Sequence, residues 1–86
     1  MLEKNKYIVQ CLARTYCGER LNYWGACPDV EIEAESFLEA IAAGKKIARD
    51  NLAERQRVEE ILVDCVIEPD GKIIRLVSFD GNMFPY

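Results

Sequence analysis

The residues best suited to nucleophilic chemistry in this sequence are four cysteines, Cys11, Cys17, Cys27 and Cys65, and two serines, Ser36 and Ser78. A hydroxyl or thiol attacks efficiently only when a neighbouring base takes its proton, and near neutral pH that base is most often histidine. The chain contains no histidine. Ser-His-Asp and Cys-His arrangements are therefore excluded. The cysteines form no Cys-x-x-Cys pair, so zinc and dithiol redox sites lose their usual spacing as well. Phosphate-cradling glycine loops and the Gly-x-Ser-x-Gly elbow are absent. The two Asp-Gly pairs, at 70–71 and 80–81, lie outside any EF-hand spacing and read first as turns. The expectation is a protein with no catalytic residues, no metal and no cofactor.

Size and composition set the frame in which those side chains sit. An 86-residue chain, half apolar and 30% charged, is one globular domain with a thin core and little room for a deep catalytic cleft. Its apolar runs fall far short of the ~20 residues that cross a bilayer, and "MLEKNKYIV" lacks the apolar core and cleavage site of an export signal, so a cytoplasmic protein with free thiols is expected. Cys11 and Cys65 fall within apolar strand patterns, where a free cysteine acts as a small buried hydrophobe.

The net charge of −4 argues against a protein whose main work is to coat phosphates. The charges are nevertheless segregated. Glu31, Glu33, Glu35 and Glu39 gather in one stretch, and Lys45, Lys46, Arg49, Arg55 and Arg57 follow downstream. Two candidate binding surfaces result, one acidic and one basic, against the plainer reading that each is a solvated face.

The elements that must position these charges read clearly. "KYIVQCLARTY" sets Tyr7, Val9, Cys11 and Ala13 on one face and Ile8, Leu12 and Tyr16 on the other, as a central strand covered on both sides does. "CGER" is a glycine turn, and "LNYWGAC" returns as the second strand. Pro28 and Asp29 interrupt it. "VEIEA" then resumes with Val30, Ile32 and Ala34 inward and the glutamates outward, either as a third strand or as the second one bent at the proline. Ser36 followed by Glu39 is a capping box that opens a helix. Phe37, Ala40, Ile41, Gly44, Ala48 and Leu52 form its apolar stripe, whose small members let the helix lie close to a sheet. Helical character carries on toward "NLAERQR". "VEEILVDCVIEPDGKIIRLVSFDG" is a hairpin, with Ile61, Val63, Cys65 and Ile67 alternating against Leu62, Asp64, Val66 and Glu68, and with "EPDG" as a type I turn. The sum is an α+β domain: an antiparallel four- to five-stranded sheet with one main helix packed on one face, in the order β-β-(β)-α-β-β.

"YWGACPDV" followed by the capped helix "SFLEAIAAGKKIA" resembles the N-terminal domain of HicB-type antitoxins, in which a hairpin ends near Pro-Asp and leads into a helix beginning Thr/Ser-x-x-Glu-Ala. The matching positions are Pro28, Asp29, Ser36, Glu39 and Ala40, and the similarity covers roughly the first 50 residues. The loop before the helix cap is shorter here and lacks that family's Gly-Asp-Thr run. The resemblance implies a double-stranded-RNA-binding-like α+β fold that neutralises a protein partner, with no catalysis.

A single helix covers one face of the sheet, yet Ile8, Leu12, Leu62, Val66 and Trp24 supply apolar surface for the other. The ending "GNMFPY" either folds back over that face or docks on a partner, and a homodimer through the sheet would also cover it. The chain is therefore expected to be a small interaction protein, an inhibitor, antitoxin or mobile-element regulator. Its contacts would be made through Glu31, Glu33, Glu35, Trp24, Phe84 and Tyr86. The alternative is a nucleic-acid-binding module using Lys45, Lys46, Arg49, Arg55 and Arg57. No membrane partner is expected.

Overall fold

In the computed structural model, which describes residues 5–21 and 24–76, the chain forms one helix against one face of an antiparallel sheet. The α+β class expected from the sequence is the class observed. The longest strand is β1 (Asn5–Cys17), followed by β2 (Arg20–Leu21), β3 (Gly25–Ala26) and β4 (Val30–Ala34). Helix α1 (Phe37–Ala53) leads to β5 (Arg57–Ile67) and β6 (Ile73–Arg75).

β1 is central, as its two apolar faces require. β5 runs along one edge of it and β6 pairs with β5, while β2, β3 and β4 succeed one another along the opposite edge. The expected second strand and its bent continuation are thus three short pieces of one edge. Pairing runs from Tyr16↔Leu21 to Ala13↔Gly25, and from Leu12↔Ala26 to Val9↔Val30. Each step spends four residues of the edge against three of β1, so the pairing register shifts by one residue at each break. Pro28 lies in the second break, where its missing N–H removes no ladder bond. Among the described residues the strand count is accordingly six, against the four or five expected.

Turn chemistry fixes the hairpins. Gly18, at φ +66, is the first central residue of the two-residue turn from Cys17 to Arg20, the left-handed position of a type II′ turn. At the other hairpin Gly71 N donates to Glu68 O at 2.8 Å and Gly71 takes φ +90. Asp70 Oδ1 accepts from Lys72 N at 3.0 Å, which closes the "EPDG" turn. Ser36 caps α1, its hydroxyl accepting from Glu39 N at 3.1 Å. The helix stops at Ala53, short of the "ERQR" run, and in the turn beyond it Arg55 N and Gln56 N both donate to Leu52 O.

The core lies between α1 and the sheet. Tyr7, Val9, Cys11 and Ala13 of β1, Val30 and Ala34 of β4, and Ile61, Val63 and Val66 of β5 meet Ala40, Ile41 and Ala48 of the helix. Ile61 and Val63 keep the expected alternation, but Cys65 and Ile67 do not join them. Register slips between Gln10 and Cys11, where Asp64 is the extra residue of β5, so Val66 turns to the helix while Cys65 turns away. Gly44 sets the helix-to-sheet distance: a Cβ built there would fall 2.6 to 2.8 Å from the Val9 side chain.

Three outcomes follow. Gly44→Ala gains about 1 kcal/mol of helix propensity but forces overlap with Val9, a cost of about 1–3 kcal/mol, so urea unfolding is expected to show a net loss. In the double mutant Gly44→Ala with Val9→Ala the two losses fall only partly short of additivity, because the overlaps with both Val9 Cγ atoms go while the Cβ at position 9, 2.6 Å from the new methyl, stays. Ser36→Ala removes the cap and lowers stability by about 1 kcal/mol in the same assay.

Candidate functional site

The sheet face turned away from α1 is built in rows across the strands. Glu31, Ile8, Ile67 and Ile73 are cross-strand neighbours in one row, and Leu12 sits beside Leu62 in another. Tyr16 lies opposite Arg57, and Arg14 opposite Glu60. Ile8, Leu12 and Ile67 are half-buried, Leu62 and Cys65 are buried, and Ile73 is 63% exposed. No described element packs across these rows, because α1 contacts β1, β4 and β5 from the other side.

The acidic residues border this face. Glu31 and Glu33 are exposed on β4 and pair in register with Ile8 and Lys6, which places them along the outer margin of the open face. Glu35 is exposed in the bend between β4 and the helix cap. Trp24 is half-buried, and the Arg14 guanidinium stands 5.7 Å from its ring centroid. Phe84 and Tyr86 lie outside the described residues, as do Ser78 and the 80–81 Asp-Gly pair. The proposed acidic margin and Trp24 therefore share a face, toward opposite ends of β1.

The basic residues divide between the two sides of the sheet. Lys46 lies on the solvent side of α1, paired at 3.0 Å with Asp50, and Arg49 is exposed. Lys45 is half-buried close enough to Cys11 for its charge to act on that thiol. Arg55 follows the helix C-terminus. Arg57 instead begins β5 on the open face, its guanidinium 4.3 Å from the Tyr16 ring centroid. A run that is continuous in sequence is thus split by the turn from α1 into β5. Arg14, absent from the expected set, joins Arg57 in a pair of arginine–aromatic stacks at the turn end of the open face. The signal that could have found it is the position of Arg14 two residues before Tyr16 on one face of a strand.

On the helix side, the breaks in the edge strand leave a cleft below the C-terminal turns of α1. Its larger lobe, about 350 Å³, is lined by Cys27, Asp29, Asn51 and Arg55 among others, and the smaller lobe, about 280 Å³, reaches Ala13 and Thr15. Cys27, Pro28, Leu52 and Gln56 border both lobes. Burial disfavours the thiolate form of both thiols here, which slows their attack on an electrophile without abolishing it. Burial, reinforced by Cys27 and Asp64 and opposed by Lys45, pushes the Cys11 thiol up to about 11, and burial raises Cys27 as well. Burial together with Asp64 and Asp29 raises Cys65, against the lowering effect of Arg75, and its thiol donates to Gln10 Oε1 at 2.6 Å. Gln10 in turn donates to Asp29 Oδ2 at 3.2 Å. Among the described residues no group of three or more His, Cys, Asp or Glu side chains could hold a metal ion.

Comparison of the chain with protein-family models, with curated proteins and with solved structures found no match. Among the described residues no helix is long and apolar enough to cross a membrane.

The elevated Cys11 thiol predicts a specific alkaline weakness. The unfolded chain ionises this cysteine near 9.0 while the folded chain resists until about 11. The unfolded state therefore releases its proton first, and the stability held below pH 9.0 is lost as pH rises through about 11. Urea midpoints measured across that window should fall less in Cys11→Ala than in the parent chain.

Proposed function

We propose that this chain acts by binding another protein rather than by chemistry, using the open sheet face and its acidic margin. The observation that carries the reading is the composition of that face: an apolar centre at Ile8, Leu12, Ile67 and Ile73, bordered by Glu31 and Glu33 and crossed by no described element. Contiguous apolar surface with a charged rim is the usual anatomy of a protein interface. The partner that fits offers apolar side chains flanked by lysine or arginine, which steer it toward the glutamates and fix its orientation. Glu35 extends the acidic margin and Trp24 supplies an aromatic anchor at the other end. An inhibitor of the antitoxin kind, to which the Pro28-Asp29 and Ser36-Glu39 pattern points, is a role of this type. Phe84 and Tyr86 belong to the same reading as contributors from the C-terminal segment.

The arginine–aromatic stacks favour a second reading. Stacked rings beside guanidinium groups are the equipment of single-stranded nucleic-acid binding, where bases pile on aromatic faces and backbone phosphates meet arginine. Arg14, Arg57, Tyr16 and Trp24 supply that combination at one end of the open face. The helix residues Lys45, Lys46 and Arg49 lie on the other side of the sheet and would have to act separately, which makes protein binding the better-supported role.

Affinity capture from host lysate at moderate salt, followed by calorimetry with the captured protein, separates the two. The expected result is a stoichiometric protein whose Kd weakens about tenfold or more when Glu31→Lys is combined with Glu33→Lys, both exposed positions at which the fold should persist by circular dichroism. Unchanged affinity would clear the acidic margin of the role. Salt-sensitive retention of single-stranded RNA or DNA, lost in Arg14→Ala with Arg57→Ala, would establish the second reading in its place.

A further inference from the structure

We infer that Cys11 and Cys27 are an oxidisable pair, the site of a cross-strand disulfide that ties the broken edge of the sheet to its central strand. The register carries the inference. β3 pairs with β1 through Ala13↔Gly25 and Leu12↔Ala26, so one further step sets Cys27 opposite Cys11. The strands are still joined there, because Cys27 N donates to Cys11 O at 2.9 Å, although Cys27 lies beyond the last residue of β3. Residues facing each other in a hydrogen-bonded antiparallel pair have Cα atoms about 5.5 Å apart. Disulfides span Cα separations of about 4.4–6.8 Å. Both side chains also point the same way: Cys11 belongs to the core under α1, and Cys27 packs against that core.

Access to the pair is unequal, and this gives the reaction an order. Cys11 is 2% exposed, whereas Cys27 is half-buried and borders both lobes of the cleft below the helix end. Hydrogen peroxide entering the cleft meets Cys27 first. The Cys27 sulfur attacks one peroxide oxygen, the O–O bond breaks, and the products are a sulfenic acid and one water. The Cys11 sulfur then attacks the sulfenic sulfur, the S–O bond breaks, and the leaving hydroxide takes the Cys11 proton as a second water. Two thiols lose two electrons and two protons, and the peroxide is reduced to two waters. Cys65 is buried on the opposite face with its thiol bonded to Gln10, and Cys17 is exposed at the β1–β2 turn, so neither competes for Cys11.

Sequence makes the pairing directly readable. Cleavage after lysine and arginine places the four cysteines on four separate peptides, residues 7–14, 15–20, 21–45 and 58–72. The full-length chain carrying Cys17→Ser, which removes the exposed thiol, is treated with millimolar hydrogen peroxide, alkylated, digested and weighed. The expected product is a 7–14/21–45 cross-linked peptide lighter by two hydrogens than its parts. It should revert with dithiothreitol, be absent from Cys27→Ala, and lose its preference over links to Cys65 when oxidation is done in urea. A higher melting temperature for the oxidised chain than for the reduced one is expected, since the link closes the 11–27 loop. Linkage of either cysteine to Cys65 in the folded chain would overturn the inference. So would a Cys27 that advances to sulfinic acid while Cys11 remains fully alkylatable after unfolding.

Discussion

The contact of Gly44 with Val9 governs how the two layers of this domain meet. With no Cβ at the crossing point, α1 descends until its backbone lies against the β1 valine, and Ala40 and Ala48 follow on the same stripe. A small domain has few ways to fill a core, and closing the gap between layers substitutes for side-chain volume. The close approach costs helix propensity at Gly44 and is offset by dispersion contacts with a fully buried valine. It also determines what lies below the C-terminal end of the helix: where α1 passes over Ala13 and the interrupted edge strand, the same small side chains leave the two-lobed cleft rather than solid packing.

The two faces of the sheet consequently differ in character. One is sealed by a helix of low bulk, with Cys11 held so far from water that its thiol resists ionisation. The other is a mosaic in which aliphatic residues occupy the middle, carboxylates the β4 margin, and arginines stacked on aromatic rings the turn end.

Much of this was legible in the sequence, and the failures share one cause. The double-sided pattern from Tyr7 to Tyr16 announced a central strand, Ser36 and Glu39 announced the helix, and Gly44 announced close packing. What could not be read was register. Asp64 looks like one more member of an alternating strand, yet as a bulged residue it reverses the facing of Cys65, Val66 and Ile67. Pro28 signalled an interruption, but an interruption of a strand and a change of partner look alike until pairing with β1 is known. Arg57 appears to extend the basic helix and belongs to the other side of the sheet. Arg14 and Trp24 are ten positions apart in the chain and become neighbours only through the pairing of β3 with β1. Periodicity reports which residues share an element; the partner across the ladder is a long-range fact that short patterns do not contain.

The outer edge of β4 shows a further consequence of the alternation in "VEIEA". An exposed edge strand invites a second copy to add itself to the sheet, the first step toward stacked aggregates. Were two β4 strands to pair antiparallel about Ile32, Glu31 of each would stand directly opposite Glu33 of the other, on one face and at repulsive distance. The break in pairing at Pro28 and Asp29 also keeps the rest of that edge from offering a straight ladder. The carboxylates of β4 thus guard this edge of the sheet against pairing with its own kind.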